Sequence, residues 1–221
     1  MKDVGVFSFG RMQGDRCPNK MLRPFVDTTL TEIMLSKLAQ FGAESFFAGY
    51  EEEFRVRCDA AGVRFVQRDL NSISIDEPIV EILSFLRHVE HEYLLWVNPC
   101  LPLLEVDTIR AFLEDCVAHR SRPAFPVVRR STHFLHGDGK AVNFDATAKT
   151  LNTKTVEPIY EMAHAFYFYN RQFFLDNGRY WNWDDVRMVE LDDIGQLIDI
   201  DEERDFSTAQ RMWKMRSRGG S

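Results

Sequence analysis

Apolar positions along the chain form short unbroken runs separated by helical stripes. Val4 to Phe9 (VGVFSF), ESFFAGY at 44–50, VRFVQR at 63–68, YLLWV at 93–97 and AFPVVRR at 124–130 read as buried strands. Between them, 27–41, 51–62, 79–91 and 106–119 read as helices. Ile79, Ile82, Leu83 and Leu86 carry the stripe of the third, and Gly62 stops the second. A polar connection, DLNSISIDEP, fills 69–78. Strand and helix therefore alternate five times over roughly the first 130 residues. That order predicts a three-layer α/β fold, with a mostly parallel sheet covered by helices on both faces.

From Ser131 the pattern loosens. HGDGK at 136–140, between HFL and AVNF, predicts a hairpin turn. EMAHAFYFYN at 161–170 reads as one long aromatic strand, with its aromatic residues as packing. RQFFLDNG at 171–178 reads as a short helix closed by Gly178. VRMVEL at 186–191 and QLIDI at 196–200 read as short strands. The last helix, 201–215, opens on three acids that suit its dipole. No repeat or linker divides the chain, so a single domain is expected over 1–215, followed by a tail at 216–221.

Composition narrows the function. No run of about 18 apolar residues exists, and no signal peptide is read at the start, so no membrane partner is expected. The formal net charge of −7 speaks against a nucleic-acid partner while leaving room for a local basic pocket. Cys17, Cys58, Cys100 and Cys116 form no CxxC pair and read as reduced thiols of a cytoplasmic protein. His88 with His91, and His133 with His136, repeat an HxxH spacing but lack a third ligand, so zinc is not expected.

Three constellations carry candidate chemistry. The first is the loop after the opening strand, with Gly10, Arg11, Gly14, Arg16 and Lys20, stiffened by Pro18. A strand, a basic glycine-bearing loop and a helix can hold phosphates, through backbone N–H groups and cations together. The loop is neither GxxxxGK[ST] nor GxGxxG, so a solvated surface loop stands as the other reading. The second is Asp199 and Asp201, two apart and hence on one side of a strand, where they suit Mg2+. Asp205 follows as a brace, and an acidic helix start is the alternative. The third is Arg68 and Asn98, each at a strand end, where parallel sheets line their ligand crevice.

These residues carry a resemblance. R-x-x-x-x-R-x-P-x-K from Arg11 to Lys20, followed by MLRPF, resembles the opening motif of the acylneuraminate cytidylyltransferases and their relatives that activate 3-deoxy-octulosonate. The Arg68 strand end, NPCLPL at 98–103 and LIDIDEERDFSTAQ at 197–210 fit the same family in order. The resemblance implies a Rossmann-like nucleotidyltransferase using CTP and Mg2+, which transfers CMP to a small acidic acceptor and releases pyrophosphate. Arg11, Arg16 and Lys20 would hold the triphosphate, with Gly10 and Gly14 shaping the loop. Arg68 and Asn98 would contact the nucleotide, and Asp199 and Asp201 the metal. Arg11, Lys20 and Asp201 would be the catalytic set. Family members commonly dimerise through an extension, for which 131–165 is the candidate arm.

The chain departs from the family where Gly14 replaces serine, where Met21 replaces the asparagine of the sialate enzymes, and where Asn98 replaces glutamine or an acid. AHAFYFY at 163–169 stands where those enzymes carry N-G-A-I-Y near the acceptor. A nonulosonic acid is the default acceptor, with a phosphonate or another phosphorylated small molecule as rival. A glycosyltransferase with a D-x-D metal motif and a non-catalytic nucleotide-binding protein are the readings from other classes.

Overall fold

The computed structural model describes residues 3–14, 16–74, 77–119 and 122–219, with backbone alone for 217–219. Position 15 of the opening loop, 75–76 of the polar connection and 220–221 of the tail lie outside the described residues. Strands β1 (Val4–Phe9), β2 (Ser45–Gly49), β3 (Arg64–Gln67) and β4 (Tyr93–Val97) pair in parallel, in the order β3-β2-β1-β4. The elements between and after them are α1 (Leu30–Leu38), α2 (Glu52–Ala61), α3 (Ile79–Ile82) and α4 (Val106–Ala118). The side chain of Thr29 caps α1 by accepting the N–H of Glu32, and α2 ends on Gly62 at a left-handed φ of 66°.

Alternation along the strands feeds two cores. On β1, Val4 and Val6 face a cluster with Leu30, Met34, Phe112 and Phe206, while Phe7 faces the other side with Phe46, Phe85 and Tyr169. Phe7 stacks on Phe46 with ring centroids 5.1 Å apart. Each such fully buried ring contributes about 1.5–3 kcal/mol. Both faces of the sheet are dry, which is why its strands read as unbroken apolar runs.

The second half of the chain completes the sheet with β5 (Ala124–Arg130), β6 (Ile159–Met162), β7 (Phe166–Asn170) and β8 (Arg187–Glu190), and adds α5 (Arg171–Asn177) and α6 (Glu203–Gly219). β7 lies antiparallel between β4 and β5, so β5 runs in the same direction as β4. β8 occupies one edge of β5 over Ala124 to Val127, so β6 and β7 must share the other edge. The register steps from Val127↔Met162 to Ala124↔Phe168, three residues on β5 against six on its partner. The expected continuous strand at 161–170 is thus two strands interrupted by a wide bulge at 163–165.

Two other expected elements are shorter than the pattern suggests. The helix expected over 79–91 is the single turn α3 plus a 3-10 turn at Ser84–His88. Carbonyls that a longer helix would use are taken by distant side chains: Arg68 bonds Ile82 O at 3.2 Å and Arg171 bonds Leu86 O at 3.4 Å. QLIDI at 196–200 is not a strand either. A 3-10 turn at Ile194–Gln196 precedes it, and the buried Gln196 amide accepts from Glu105 N (2.9 Å) and Thr108 Oγ1 (2.8 Å). Ile200 then gives its N–H to Cys100 O at 3.0 Å and its carbonyl to Lys20. At the end, α6 runs on to Gly219, past the expected stop at 215.

Residues 131–158 form an excursion beyond β5 with one antiparallel bridge, Leu135↔Ala141, and a turn that places Gly139 at φ 85°. The buried Asn143 pins it, bonding Phe134 N, Thr132 O and Glu157 O at 2.7–2.9 Å. Among the described residues no helix is long and apolar enough to cross a membrane, and the four thiols are free.

Candidate active site

The carboxyl ends of β1, β3 and β4 open into a cavity of about 490 Å3. Gly10, Arg11, Gly14, Arg16 and Lys20 line it from the loop after β1, Arg68 and Asn98 from the ends of β3 and β4, and Asp201 from the approach to α6. Residues separated by almost the whole chain therefore meet where a parallel sheet places its ligand crevice.

The loop is anchored at several points. Gly10 donates its N–H to Ala48 O at 3.0 Å, and a Cβ there would stand 3.0 Å from the Phe47 ring. At Gly14 a Cβ would approach Cys17 O at 3.2 Å. Arg11 bonds Ile73 O at 2.7 Å, and Met12 N–H is taken by Glu51 Oε1 at 3.0 Å. Arg16 pairs with Asp201 at 2.9 Å. Lys20 donates to Ile200 O and lies 3.9 Å from Asp201 Oδ1. Behind the loop, Arg23 forms a two-point pair with Glu203 (2.7 and 2.8 Å), its guanidinium 3.7 Å from the centre of the Phe206 ring. This clamps the loop to the start of α6.

The two acids hold their places without a strand. Asp205 Oδ2 accepts the N–H groups of Asp201 (3.2 Å) and Glu202 (2.8 Å), capping the turn that carries Asp201. Asp199 Oδ2 accepts from Asn98 Nδ2 at 3.0 Å. Burial, and then the charge of Asp201, push the Asp199 carboxyl above its ordinary range, while Lys20, Asn98 and His164 pull it back. A carboxylate strained by burial and a like charge favours a cation beside it.

Arg68 and Asn98 have tasks the sequence did not suggest. Arg68 is 2% exposed. Its guanidinium bonds Gly10 O (3.0 Å), Ser72 O and Ile82 O (3.2 Å), so its Nη donors hold the cavity wall together. Burial, reinforced by the charge of Arg11, lowers its pKa to about 10. The Asn98 amide is likewise committed. Nδ2 donates to Asp199 and to His164 O (3.1 Å), and Oδ1 accepts from Cys100 N (2.9 Å).

Glu51, Trp96 and His164 also belong to this end of the sheet and were not singled out from sequence. Glu51 read only as a helix start, and Trp96 as one more apolar strand residue. The signal for His164 was there: the small–His–small step Ala163-His164-Ala165 interrupts an otherwise aromatic run.

Residues 10–165, most of the chain, match the family model of the MobA-like NTP transferase domain. The chain belongs to that family. The match to the MobA-like family covers the cation loop, Arg68 and Asn98, and ends at the bulge, before Asp199 and Asp201.

Solved structures share the fold of this MobA-like chain at low identity. CMP:2-keto-3-deoxy-manno-octonic acid synthetase complexed with CTP superposes with a TM-score of 0.71 at 12% identity, over 97% of this chain and 99% of that one. A cytidylyltransferase from Leptospira borgpetersenii serovar Hardjo-bovis (strain JB197) gives 0.61 at 15%, over 94% and 85%. The 4-diphosphocytidyl-2C-methyl-D-erythritol synthase of Anaerococcus prevotii DSM 20548 gives 0.61 at 12%, over 96% and 97%. These confirm the Rossmann-like nucleotidyltransferase fold. No curated protein matches the sequence.

Proposed function

We propose that this nucleotidyltransferase-family chain is a CTP-dependent cytidylyltransferase that transfers CMP to a small acidic acceptor and releases pyrophosphate. The carrying observation is the meeting of Arg16, Lys20 and Asp201 at one cavity, beside the Asn98–Asp199 pair. A triphosphate needs cations and a divalent metal needs carboxylates; the cations and Asp201 line the same space, with Asp199 held next to it by Asn98. The solved neighbours bearing cytidylyl names give the preference for CTP.

Mg2+ fits the residues present. Asp199 and Asp201 would hold it, and among the described residues no group of three or more His, Cys, Asp and Glu adds to them. Two carboxylates, completed by water and substrate oxygens, suit a metal that keeps several waters. Bound there, Mg2+ would supply charge neutralisation at the phosphates and polarise the acceptor oxygen.

The chain's own residues do the positioning. An acceptor oxygen attacks the α-phosphorus in line, and pyrophosphate leaves on the opposite side. Arg11, Arg16 and Lys20 hold the triphosphate, and Arg16 and Lys20 stabilise charge growing on the leaving pyrophosphate. Asp205 keeps the Asp201 turn in place through two backbone bonds. Arg68 and Ser72 keep the cavity wall fixed around the nucleotide.

A dimer joined through the arm expected at 131–165, of which 131–158 lies outside the sheet, belongs to the same proposal. Leu135 and Leu151 are 60% and 68% exposed there, a cost in water that a partner would remove. The free thiols accord with a reducing cytoplasm. The test of the activity is pyrophosphate release with Mg2+ from CTP, UTP, ATP and GTP against nonulosonic acids, 3-deoxy-octulosonate, phosphonates and phosphorylated amides. Release with CTP and an acid supports the reading; no release from any of the triphosphates, with glycosyl transfer from a nucleotide sugar supplied in a parallel assay, would overturn it.

A further inference from the structure

The cavity is lined by cations, and the bulge between β6 and β7 is joined to it through Asn98, which also holds Asp199. β7 starts at Phe166, opposite Val97, the last residue of β4, so the bulge stands at the carboxyl edge of the sheet. Bulges of this kind re-aim a side chain, and they gather beside active sites. The side chain re-aimed here is His164, an exposed imidazole at φ 47°. A branchless glycine would sit in that left-handed conformation without strain, whereas a histidine must be held there.

The holding groups are visible. Asn98 N–H donates to Ala165 O at 2.9 Å, and Asn98 Nδ2 donates to His164 O at 3.1 Å. The same Nδ2 reaches Asp199 at 3.0 Å, so one amide group joins the bulge to the acid pair. The ring is fixed as well: His164 Nδ1 lies 2.5 Å from the Tyr167 hydroxyl. The only other described partner of that hydroxyl is Met162 Sδ at 4.0 Å, a weak acceptor. The contact fixes the orientation of the ring and leaves Nε2 as its nitrogen without a described partner. Tyr167 is itself wedged between Trp96 (4.8 Å) and Trp181 (5.2 Å), which leaves its hydroxyl little freedom.

We propose that His164 is the acceptor-recognising residue of this enzyme, making a hydrogen bond through Nε2 to an oxygen of the acceptor, with Tyr167 as the residue that positions its ring. The assignment rests on the cytidylyl-transfer reading above. It gives this chain its own acceptor contact, at the stretch where its sequence departs most from the cytidylyltransferases it resembles. It also explains why a strained histidine is tolerated beside Asp199.

The test compares wild type, His164→Gly and Tyr167→Phe by thermal melting, by calorimetry with CTP and Mg2+, and by pyrophosphate release against rising 3-deoxy-octulosonate, a nonulosonic acid and a small phosphonate. His164→Gly relieves the backbone, so it should melt no lower than wild type and up to about 3 °C higher. Its CTP affinity should stay within about two-fold, while its acceptor KM rises by about ten-fold or more, as loss of one well-placed hydrogen bond predicts. Tyr167→Phe should raise the acceptor KM by about three-fold with kcat within two-fold. An unchanged acceptor KM in His164→Gly overturns the proposal and leaves cytidylyl transfer standing. A ten-fold loss of CTP affinity in that variant overturns it too, by making His164 a nucleotide contact. If wild type binds CTP but turns over no acceptor, and no acceptor raises its own melting point, the proposal and the activity fall together.

Discussion

Replacing Arg68 by methionine tests whether the cavity wall is a built frame or a set of ligand contacts. Methionine keeps much of the volume and removes the guanidinium. Three carbonyls, those of Gly10, Ser72 and Ile82, then lose their donor inside a wall that is almost fully dry. Bonds to a charged group contribute about 1.5–3 kcal/mol each. Desolvating the cation offsets part of that, as the lowering of its pKa to about 10 records. The net expectation is a loss of about 3–5 kcal/mol, the usual scale for breaking a buried charged network. For a chain of this length each kcal/mol moves the midpoint by about 2–4 °C, so melting should fall by roughly 6–20 °C. Thermal melting with and without CTP is the assay. CTP affinity should fall as well, because Gly10 and Ser72 line the cavity. A variant that melts within about 2 °C of wild type yet loses CTP binding would refute the reasoning, since Arg68 would then act on the ligand alone.

Three further outcomes are expected. Asp201→Asn should abolish pyrophosphate release yet change stability by no more than about 1 kcal/mol, because the pair it breaks with Arg16 is exposed (side chains 66% and 48%); melting and a release assay check both halves. Chelation with EDTA should stop release, and added Mg2+ should restore it, with melting in the absence of CTP unchanged. Lys37 is buried on Leu101 O and Pro102 O, and burial holds its pKa down at about 7. A folded pKa below the unfolded one means that unfolding takes up a proton between about pH 7 and 10, so stability from this group rises with pH there. The melting difference between wild type and Lys37→Met should therefore move in favour of wild type from pH 7 to pH 9.

Much of the fold could be read from the chain because the early elements are local. Apolar runs, Gly62 and Gly178 mark their own beginnings and ends, and both glycines take the left-handed C-cap the sequence suggests. Where the reading failed, a distant side chain had intervened. Nothing near Ile82 or Leu86 announces that Arg68 and Arg171 will claim their carbonyls. Nor does LIDID reveal that Lys20, some 180 residues earlier, takes the carbonyl of Ile200. At the site, residue types were legible and their partners were not. Arg16, Lys20 and Asp201 come together as expected, whereas the Nη donors of Arg68 and the amide of Asn98 are spent on the protein. The bulge was hidden for another reason: aromatic residues on both sides of Ala163-His164-Ala165 satisfy a strand pattern, and only the register against β5 exposes the three extra residues.

The polar groups around the cavity fall into two sets with different energetics. Arg68, Asn98, Asp205 and the Arg23–Glu203 pair make multiple short bonds to backbone or to a stacked partner, and moving any of them would leave several groups unpaired at once. Arg16 and Lys20 instead meet Asp201 through a solvent-facing pair and a looser 3.9 Å contact. Exposed pairs of that kind contribute about 0–1 kcal/mol, less than one charge-assisted bond to a phosphate oxygen. Under the proposed function, exchange at Arg16 therefore costs little: a triphosphate would draw Arg16 away from Asp201, while Lys20 keeps its bond to Ile200 O. The frame supplies position, and the exchangeable Arg16–Asp201 pair keeps both of its charges partnered until a substrate arrives.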